Sequence, residues 1–199
     1  MKPFHITSFL YSDHNHKPMS GIKDSKPTGL IIGRFQPFHK GHMEMIRKVS
    51  SECGMVIIGI GSAQYSHVPD NPFTSGERYS MIYRAVKAEG IDNAIIVPIE
   101  DMNIYSLWVA KVKSLCPPFD VVYSNNRATI RLFSEAGYQV HSSPIYNRQE
   151  FSGTEVRRRI ALGYDWRSLV PPEVAEVIDD IDGEERIRSI CGGSPDESK

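Results

Sequence analysis

Short apolar runs alternate with stretches whose apolar residues recur every three or four positions, from Gly29 to about residue 141. Leu30-Ile31-Ile32 reads as a buried strand, and residues 41–52 as a helix with Met43, Ile46 and Val49 on one face. A second strand follows at Val56–Ile60. Thr74-Ser75-Gly76-Glu77 has capping-box spacing and opens a helix whose inner face is Met81, Ala85 and Val86, with Gly90 as its stop. Residues 94–97 give a third strand. Residues 105–115 give a helix aligning Trp108, Val112 and Leu115, which Pro117-Pro118 ends. Val121–Tyr123 is a fourth strand, 128–136 a helix, and 139–141 a short strand. From Ser152 onward the pattern is all helical, at 154–162, 171–181 and 184–190. This alternation predicts an α/β fold: a doubly wound parallel sheet, Rossmann-like, with a C-terminal helical segment. Such sheets bind ligands at the carboxyl ends of their strands, near the point where strand order reverses.

The chain has 199 residues, enough for one domain, expected over 28–191 with its helical part from about 152. Residues 1–27 lack apolar periodicity and read as a flexible extension, within which Met19 is a second candidate start; 192–199 reads as a disordered tail. His5, His14 and His16 lie in that extension without the spacing of a metal site. Net charge is −1, which argues against a polybasic nucleic-acid or membrane-surface protein. No apolar run approaches the ~20 residues that span a bilayer. Three scattered cysteines form neither a disulfide framework nor a metal pair, pointing to a reducing, cytoplasmic compartment. The acidic run Asp179-Asp180, Asp182, Glu184-Glu185 reads as a solvated helical face. Glu77 and Arg78, just after a cap, read as partners in local salt bridges, and His67 as a surface-loop histidine.

The chemistry concentrates in Gly33-Arg34-Phe35-Gln36-Pro37-Phe38-His39-Lys40-Gly41-His42, between the first strand and the first helix. Backbone N–H groups and the positive end of the helix dipole attract anions there. Gly33 is expected to permit a tight turn, and Gly41 to permit close approach of backbone or ligand. His39 and His42, three apart, fall on one side of a helical start, while Arg34 and Lys40 add fixed positive charge. The string matches neither GxGxxG nor the P-loop GxxxxGK[ST], which lowers the weight of hydride transfer and P-loop hydrolysis.

A second anion-binding element is Ser152-Gly153-Thr154-Glu155-Val156-Arg157-Arg158-Arg159. Ser152 and Glu155 have capping-box spacing. Three successive arginines point about 100° apart on a helix, so one or two at most face a single ligand. Arg157, on the first turn near the Ser152 and Thr154 hydroxyls, is the candidate for phosphate. Arg158 and Arg159 are left for solvent, salt bridges or a subunit contact. The two elements supply cations, imidazoles and helix N-termini but no evident nucleophile, which suits orienting a polyphosphate for direct transfer.

HxGH followed late in the chain by SxTxxR resembles the nucleotidylyltransferase superfamily. The strings GRFQPFHKGH, PFTSGER, LWV, SGTEVRRR and DWRSLVP are similar to archaeal-type nicotinamide-mononucleotide adenylyltransferases, over about 29–190. The resemblance implies the nucleotidylyltransferase fold and transfer of AMP from ATP to nicotinamide mononucleotide, giving NAD and pyrophosphate. It implies Mg²⁺ carried on the ATP phosphates, with no metal bound by protein side chains, and a homo-oligomer, often a hexamer. Arg34, His39, His42 and Arg157 would then be catalytic. Gly33, Phe35, Gln36, Gly41, Asn126, Ser152 and Thr154 would bind ATP, and Trp108, Asp101 and Tyr105 the nicotinamide nucleotide. From the residues alone, core packing is the default explanation of Trp108, which lies on an apolar stripe with Val112 and Leu115. Tyr105 stands where the family usually has Asn, and Asn126-Arg127 where it usually has Asn-Pro. The acceptor therefore stays open to nicotinic acid mononucleotide, a flavin mononucleotide or a pantetheine phosphate, and a non-catalytic nucleotide sensor is a further alternative.

Overall fold

The computed structural model describes residues 26–102, 104–142 and 151–191. Apart from Lys26 and Pro27, the expected extension 1–27 and the tail 192–199 lie outside the described residues. Pro27 is held by its carbonyl, which accepts from Gly54 N–H at 2.9 Å.

Five parallel strands, β1 (Thr28–Gly33), β2 (Met55–Ile60), β3 (Ala94–Pro98), β4 (Val121–Tyr123) and β5 (Gln139–His141), form one sheet in the order β3-β2-β1-β4-β5. Ile31 pairs with Ile58 on one side and Tyr123 on the other, so β1 is central. The order reverses at the β1/β4 junction, because the first crossovers build leftward from β1 and the later ones rightward. The helices between strands are α1 (Lys40–Glu52), α2 (Ser75–Ala88), α3 (Tyr105–Leu115) and α4 (Arg127–Glu135). The C-terminal segment contributes α5 (Gly153–Leu162), α6 (Pro172–Asp180) and α7 (Gly183–Cys191).

Strand alternation divides the core into two layers. Ile31, Ile58 and Tyr123 face a cluster with Met43, Ile46 and Val49 of α1, Met81 and Ala85 of α2, and Val156 and Ile160 of α5. Leu30, Ile57 and Val122 face a smaller cluster with Val109 and Val112 of α3 and Phe133 of α4. The doubly wound reading is therefore correct, as are the inner faces expected of α1 and α2.

Two expectations need correction. Leu115 is 42% exposed, because α3 is rotated so that Val109 and Val112 face the sheet while Trp108 is only partly buried. The acidic run is not one solvated face. The chain turns between α6 and α7, with Asp182 at φ 52, so the run spans two helices; Asp179, Asp180, Asp182 and Glu185 are exposed as expected, while Asp179, Asp180 and Glu184 pair with arginines. Arg167 binds Asp179 and Glu184, Arg84 binds Asp180, and Arg188 binds Glu184.

Candidate active site

The carboxyl end of β1 leads into the Gly33–His42 junction at the reversal point. Gly33 does not make the turn: it ends the strand, and a Cβ there would lie 2.9 Å from the Phe35 ring. The turn falls at Phe35, whose φ is 51, so glycine is required at 33 for the ring that folds back over it. The Phe35 ring is buried in the core. Gln36 is buried too, and its side-chain amide pairs with the backbone of Phe73, Nε2 donating to the carbonyl at 2.8 Å and Oε1 accepting at 2.9 Å. Both side chains brace the loop rather than open onto it.

At the start of α1, His39 is the N-cap. Its Nδ1 accepts from His42 N–H at 3.3 Å, and His42 Nδ1 accepts from His39 N–H at 3.3 Å. This is a capping box built from two imidazoles. Their rings stack at 3.6 Å between centroids, and His42 also meets the Phe35 ring edge-on at 4.7 Å. Burial pushes the His39 imidazole down to about 4; burial and then the neighbouring His39 push His42 well below its ordinary 6.5. Both rings are neutral near pH 7. With Nδ1 accepting, each ring carries its proton on Nε2 and is left as a hydrogen-bond donor.

The second element docks directly on the first. A Cβ at Gly153 would sit 2.7 Å from the Gln36 carbonyl oxygen, and one at Gly41 would sit 3.1 Å from Phe151 Cβ, so both glycines permit the contact of the two helix starts. Ser152 caps α5 by accepting from Glu155 N–H at 3.1 Å. The expected reciprocal box is absent, because the Glu155 carboxylate turns to Arg158 and Arg159, which both salt-bridge to it. Thr154 is exposed. Arg157 is buried, with Nη1 donating to the Gln36 carbonyl at 2.7 Å and Nη2 to Asp70 Oδ1 at 3.3 Å. Burial lowers its pKa; Asp70 opposes that shift and Arg34 adds to it.

Beside this junction lies a cavity of about 520 Å³. Its lining includes Gly33 and Arg34 from the end of β1, Asn126 at the start of α4, and Asp101, Tyr105 and Trp108 from the segment that follows β3 and from α3. Asn126 caps α4, accepting from Ala128 N–H at 2.9 Å and Thr129 N–H at 3.1 Å. Asp101 accepts from Ser62 Oγ at 2.6 Å, and its backbone is bracketed by the Gln64 amide. Trp108 meets Phe133 in an edge-to-face contact at 5.6 Å, packs against the smaller core cluster, and also lines the cavity. His39, His42, Arg157, Ser152 and Thr154 are not part of this lining. They stand at the α1/α5 junction next to it, joined to it through Arg34 to Gln36.

Three residues were not legible as part of this region: Ser62, Asp70 and Arg78. Ser62 has φ 51 and lines the cavity. Arg78 is not a partner in local salt bridges, as its position suggested, but a completely buried cation whose hydrogen bonds go to backbone carbonyls. Glu77, its neighbour, binds Arg186 of α7 through both oxygens at 2.7 and 2.9 Å, across 109 residues.

Comparison with known proteins places these features in context. A model of the family described as Cytidylyltransferase-like matches residues 30–159. A nicotinamide-nucleotide adenylyltransferase of Thermoplasma acidophilum is 53% identical over 160 residues, covering 80% of this chain and 89% of the relative. One from Archaeoglobus fulgidus is 54% identical over 167 residues, covering 81% and 96%. Among solved structures, a bifunctional NMN adenylyltransferase/ADP ribose pyrophosphatase from Francisella tularensis, complexed with AMP and a Mn ion, has a TM-score of 0.67 at 24% identity. That match covers 83% of this chain and 52% of the bifunctional protein, about half its length, and bears on the fold alone.

Proposed function

The chain belongs to the cytidylyltransferase-like family, among the nicotinamide-nucleotide adenylyltransferases, and from that premise we propose how its residues divide the work. The reaction transfers AMP from ATP to nicotinamide mononucleotide and releases pyrophosphate. A phosphate oxygen of the mononucleotide forms a bond to the α-phosphorus. The bond from that phosphorus to the bridging oxygen breaks, and its electron pair leaves with pyrophosphate. The attacking group is already an anion, so no side chain has to act as nucleophile or base. The protein's contribution is alignment and neutralisation of charge.

In this reading the Nε2–H groups of His39 and His42 donate to the phosphates of ATP, together with the N-terminus of α1. Neutral donors suit the task, because they are fixed by the cap before the nucleotide arrives and need no proton from solvent. Arg34 and Arg157 supply permanent charge, and the start of α5, with Ser152 and Thr154, adds backbone donors. Gly33, Gly41 and the buried Phe35 and Gln36 keep the backbone of the loop close to the nucleotide. Asn126 borders the adenosine side. Mg²⁺ enters as part of the substrate, on the triphosphate.

The acceptor's base lies against Trp108, with Tyr105 and Asp101 in the same lining. The Asp101 carboxylate favours a neutral carboxamide over the carboxylate of nicotinic acid mononucleotide, which selects nicotinamide. The observation that supports the whole reading is the docking of the α5 start on the Gln36 backbone, through Gly153 and Arg157, beside a cavity that Arg34 borders. Incubation with ATP, Mg²⁺ and nicotinamide mononucleotide is expected to yield NAD and pyrophosphate in equal amounts. Competition between nicotinamide, nicotinic acid and flavin mononucleotides and a pantetheine phosphate, compared by kcat/KM, tests the acceptor. ATP binding without pyrophosphate release would favour a sensor instead.

The half-exposed Tyr79 and Tyr83, stacked at 6.1 Å on α2, offer apolar surface for a homo-oligomer, which the native mass of the particle tests. No described helix is long and apolar enough to cross a membrane. Free, buried Cys53 and Cys116 fit a reducing cytoplasm.

A further inference from the structure

We propose that Arg78 is a positioning residue for adenylyl transfer: sealed beneath the cavity, its guanidinium holds the donor wall and the acceptor wall in one register. The inference rests on the activity given above and adds a residue to it.

Arg78 has no exposed surface. Its Nε donates to the Thr74 carbonyl at 3.2 Å, Nη1 to those of Arg34 at 2.9 Å and Gly61 at 2.8 Å, and Nη2 to that of Ser62 at 3.1 Å. Among the described residues no carboxylate forms a salt bridge with it. A buried cation without an ion partner is costly, and fixed carbonyl dipoles offset that cost only when the geometry is kept. Burial lowers its pKa to about 10, which leaves it charged at neutral pH.

The identity of the acceptors gives the arrangement its meaning. Arg34, Gly61 and Ser62 all line the cavity. Arg34 immediately precedes Phe35, and Phe35 and Ser62 are both non-glycine residues in the left-handed region, each at φ 51. Such conformations persist only where the surroundings enforce them. Arg78 therefore grips the strained exits of β1 and β2 together. Ser62 in turn donates from Oγ to Asp101 on the acceptor wall, while Arg34 belongs to the phosphate side. One planar ion thus links the place where ATP is held to the place where its partner is held. The capping box of Thr74 and Glu77 fixes the helix start that carries the clamp.

In-line transfer depends on sub-ångström alignment of the two nucleotides, more than on the affinity for either. Loss of the fork is expected to slow turnover while leaving each substrate able to bind. Lysine keeps the charge but cannot reproduce four planar contacts. Arg78→Lys is expected to lower kcat at least 30-fold, with the KM for ATP and for nicotinamide mononucleotide each within threefold of the parent, at a temperature well below its melting midpoint. A lower midpoint with kcat within threefold would make Arg78 a core residue and overturn the assignment. So would a loss confined to one KM.

If Arg78→Lys does not fold, the double variant Arg78→Lys/Ser62→Gly carries the test, since glycine adopts the Ser62 backbone without a clamp. Its kcat is then compared with that of Ser62→Gly alone. A ratio below one thirtieth supports the assignment, any smaller loss overturns it, and so does failure of the double variant to fold. The parent protein is assayed alongside. If it makes no NAD, the activity itself fails; if it does and the variants match it, only the role of Arg78 fails.

Discussion

His39 and His42 cap the same helix for each other, Nδ1 to N–H in both directions at 3.3 Å, with their rings stacked at 3.6 Å. Each imidazole therefore has a structural half, the Nδ1 that closes the cap, and a free half, the Nε2–H that is left to donate. The two halves separate experimentally. Asparagine is among the best N-cap residues and offers an oxygen where His39 offers Nδ1, but it has no equivalent of the distal N–H. His39→Asn is expected to change the melting midpoint by only a few degrees while kcat falls on the order of 10²–10³, the scale for loss of one transition-state donor. Thermal melts and steady-state kinetics on the same preparation check this. A loss below about threefold would confine His39 to capping.

The same burial predicts a pH dependence of stability with a definite sign. Both imidazoles have depressed values in the folded chain, His39 at about 4 against 6.5 when free. Below pH 6.5 the unfolded chain takes up protons that the folded chain refuses, so the folded state loses stability as pH falls. The contribution is fully present above about 6.5 and is withdrawn as pH falls through 6.5 toward 4. For His39, whose value falls from 6.5 to about 4, it is of the order of 3–4 kcal/mol at ~1.4 kcal/mol per pH unit. Melting midpoints from pH 7.5 to 4 are expected to fall more steeply for the parent than for His39→Asn. Parallel curves would mean that the pair does not titrate on unfolding.

How much of this was legible in the sequence depends on how local the cause is. Strands β1 to β4 announced themselves as short apolar runs, and α2 through Thr74 and Glu77, whose reciprocal cap forms as spaced. The two helix starts proposed to hold the phosphates were legible as helix starts because HxGH and SxTxxR carry their polar groups within a few residues. Arg78 was not, because its carbonyl acceptors at 34, 61 and 62 are remote in the chain, and an arginine in a capped first turn reads as exposed. The same distance hid the Gln36 amide, which pairs with Phe73, and Arg157 Nη1, bound to a carbonyl 121 residues away. For α3 the period itself was ambiguous: Trp108 with Leu115, and Val109 with Val112, both recur at helical spacing, and only the tertiary contact decides which stripe is buried.

Asp70 meets Arg157 at 3.3 Å, where the proposed function places a phosphate. The carboxylate side chain is 75% exposed and the guanidinium 9%, so the pair adds little to stability while it occupies one edge of the cation. A triphosphate reaching Arg157 displaces Asp70 or is repelled by it. Asp70→Asn is expected to lower the KM for ATP and the Kd for pyrophosphate roughly two- to fivefold, with kcat and melting midpoint nearly unchanged. Isothermal titration with pyrophosphate is the direct check. An unchanged or weaker affinity would mean that Asp70 does not compete for the site.

Trp108 separates a packing role from a binding role most sharply, because it has both kinds of surface. It meets Phe133 edge-to-face at 5.6 Å within the smaller core cluster, and it lines the cavity with Asp101 and Tyr105. Base–aromatic stacking is worth about 1–3 kcal/mol when the ring is removed, which corresponds to roughly 5- to 150-fold in affinity. Trp108→Leu keeps an apolar side chain for Phe133 but removes the face for the base. The KM for nicotinamide mononucleotide is expected to rise within that range while the KM for ATP stays within threefold. Tyr105, three residues earlier on the same helix, is 69% exposed and has less surface to lose on truncation. Tyr105→Ala is therefore expected to raise the same KM less than fivefold. Initial-rate measurements with each substrate varied at saturating partner distinguish these outcomes. Equal rises in both KM values for Trp108→Leu would place the ring in general support of the cavity, and an unchanged pair with a lower melting midpoint would place it in the core.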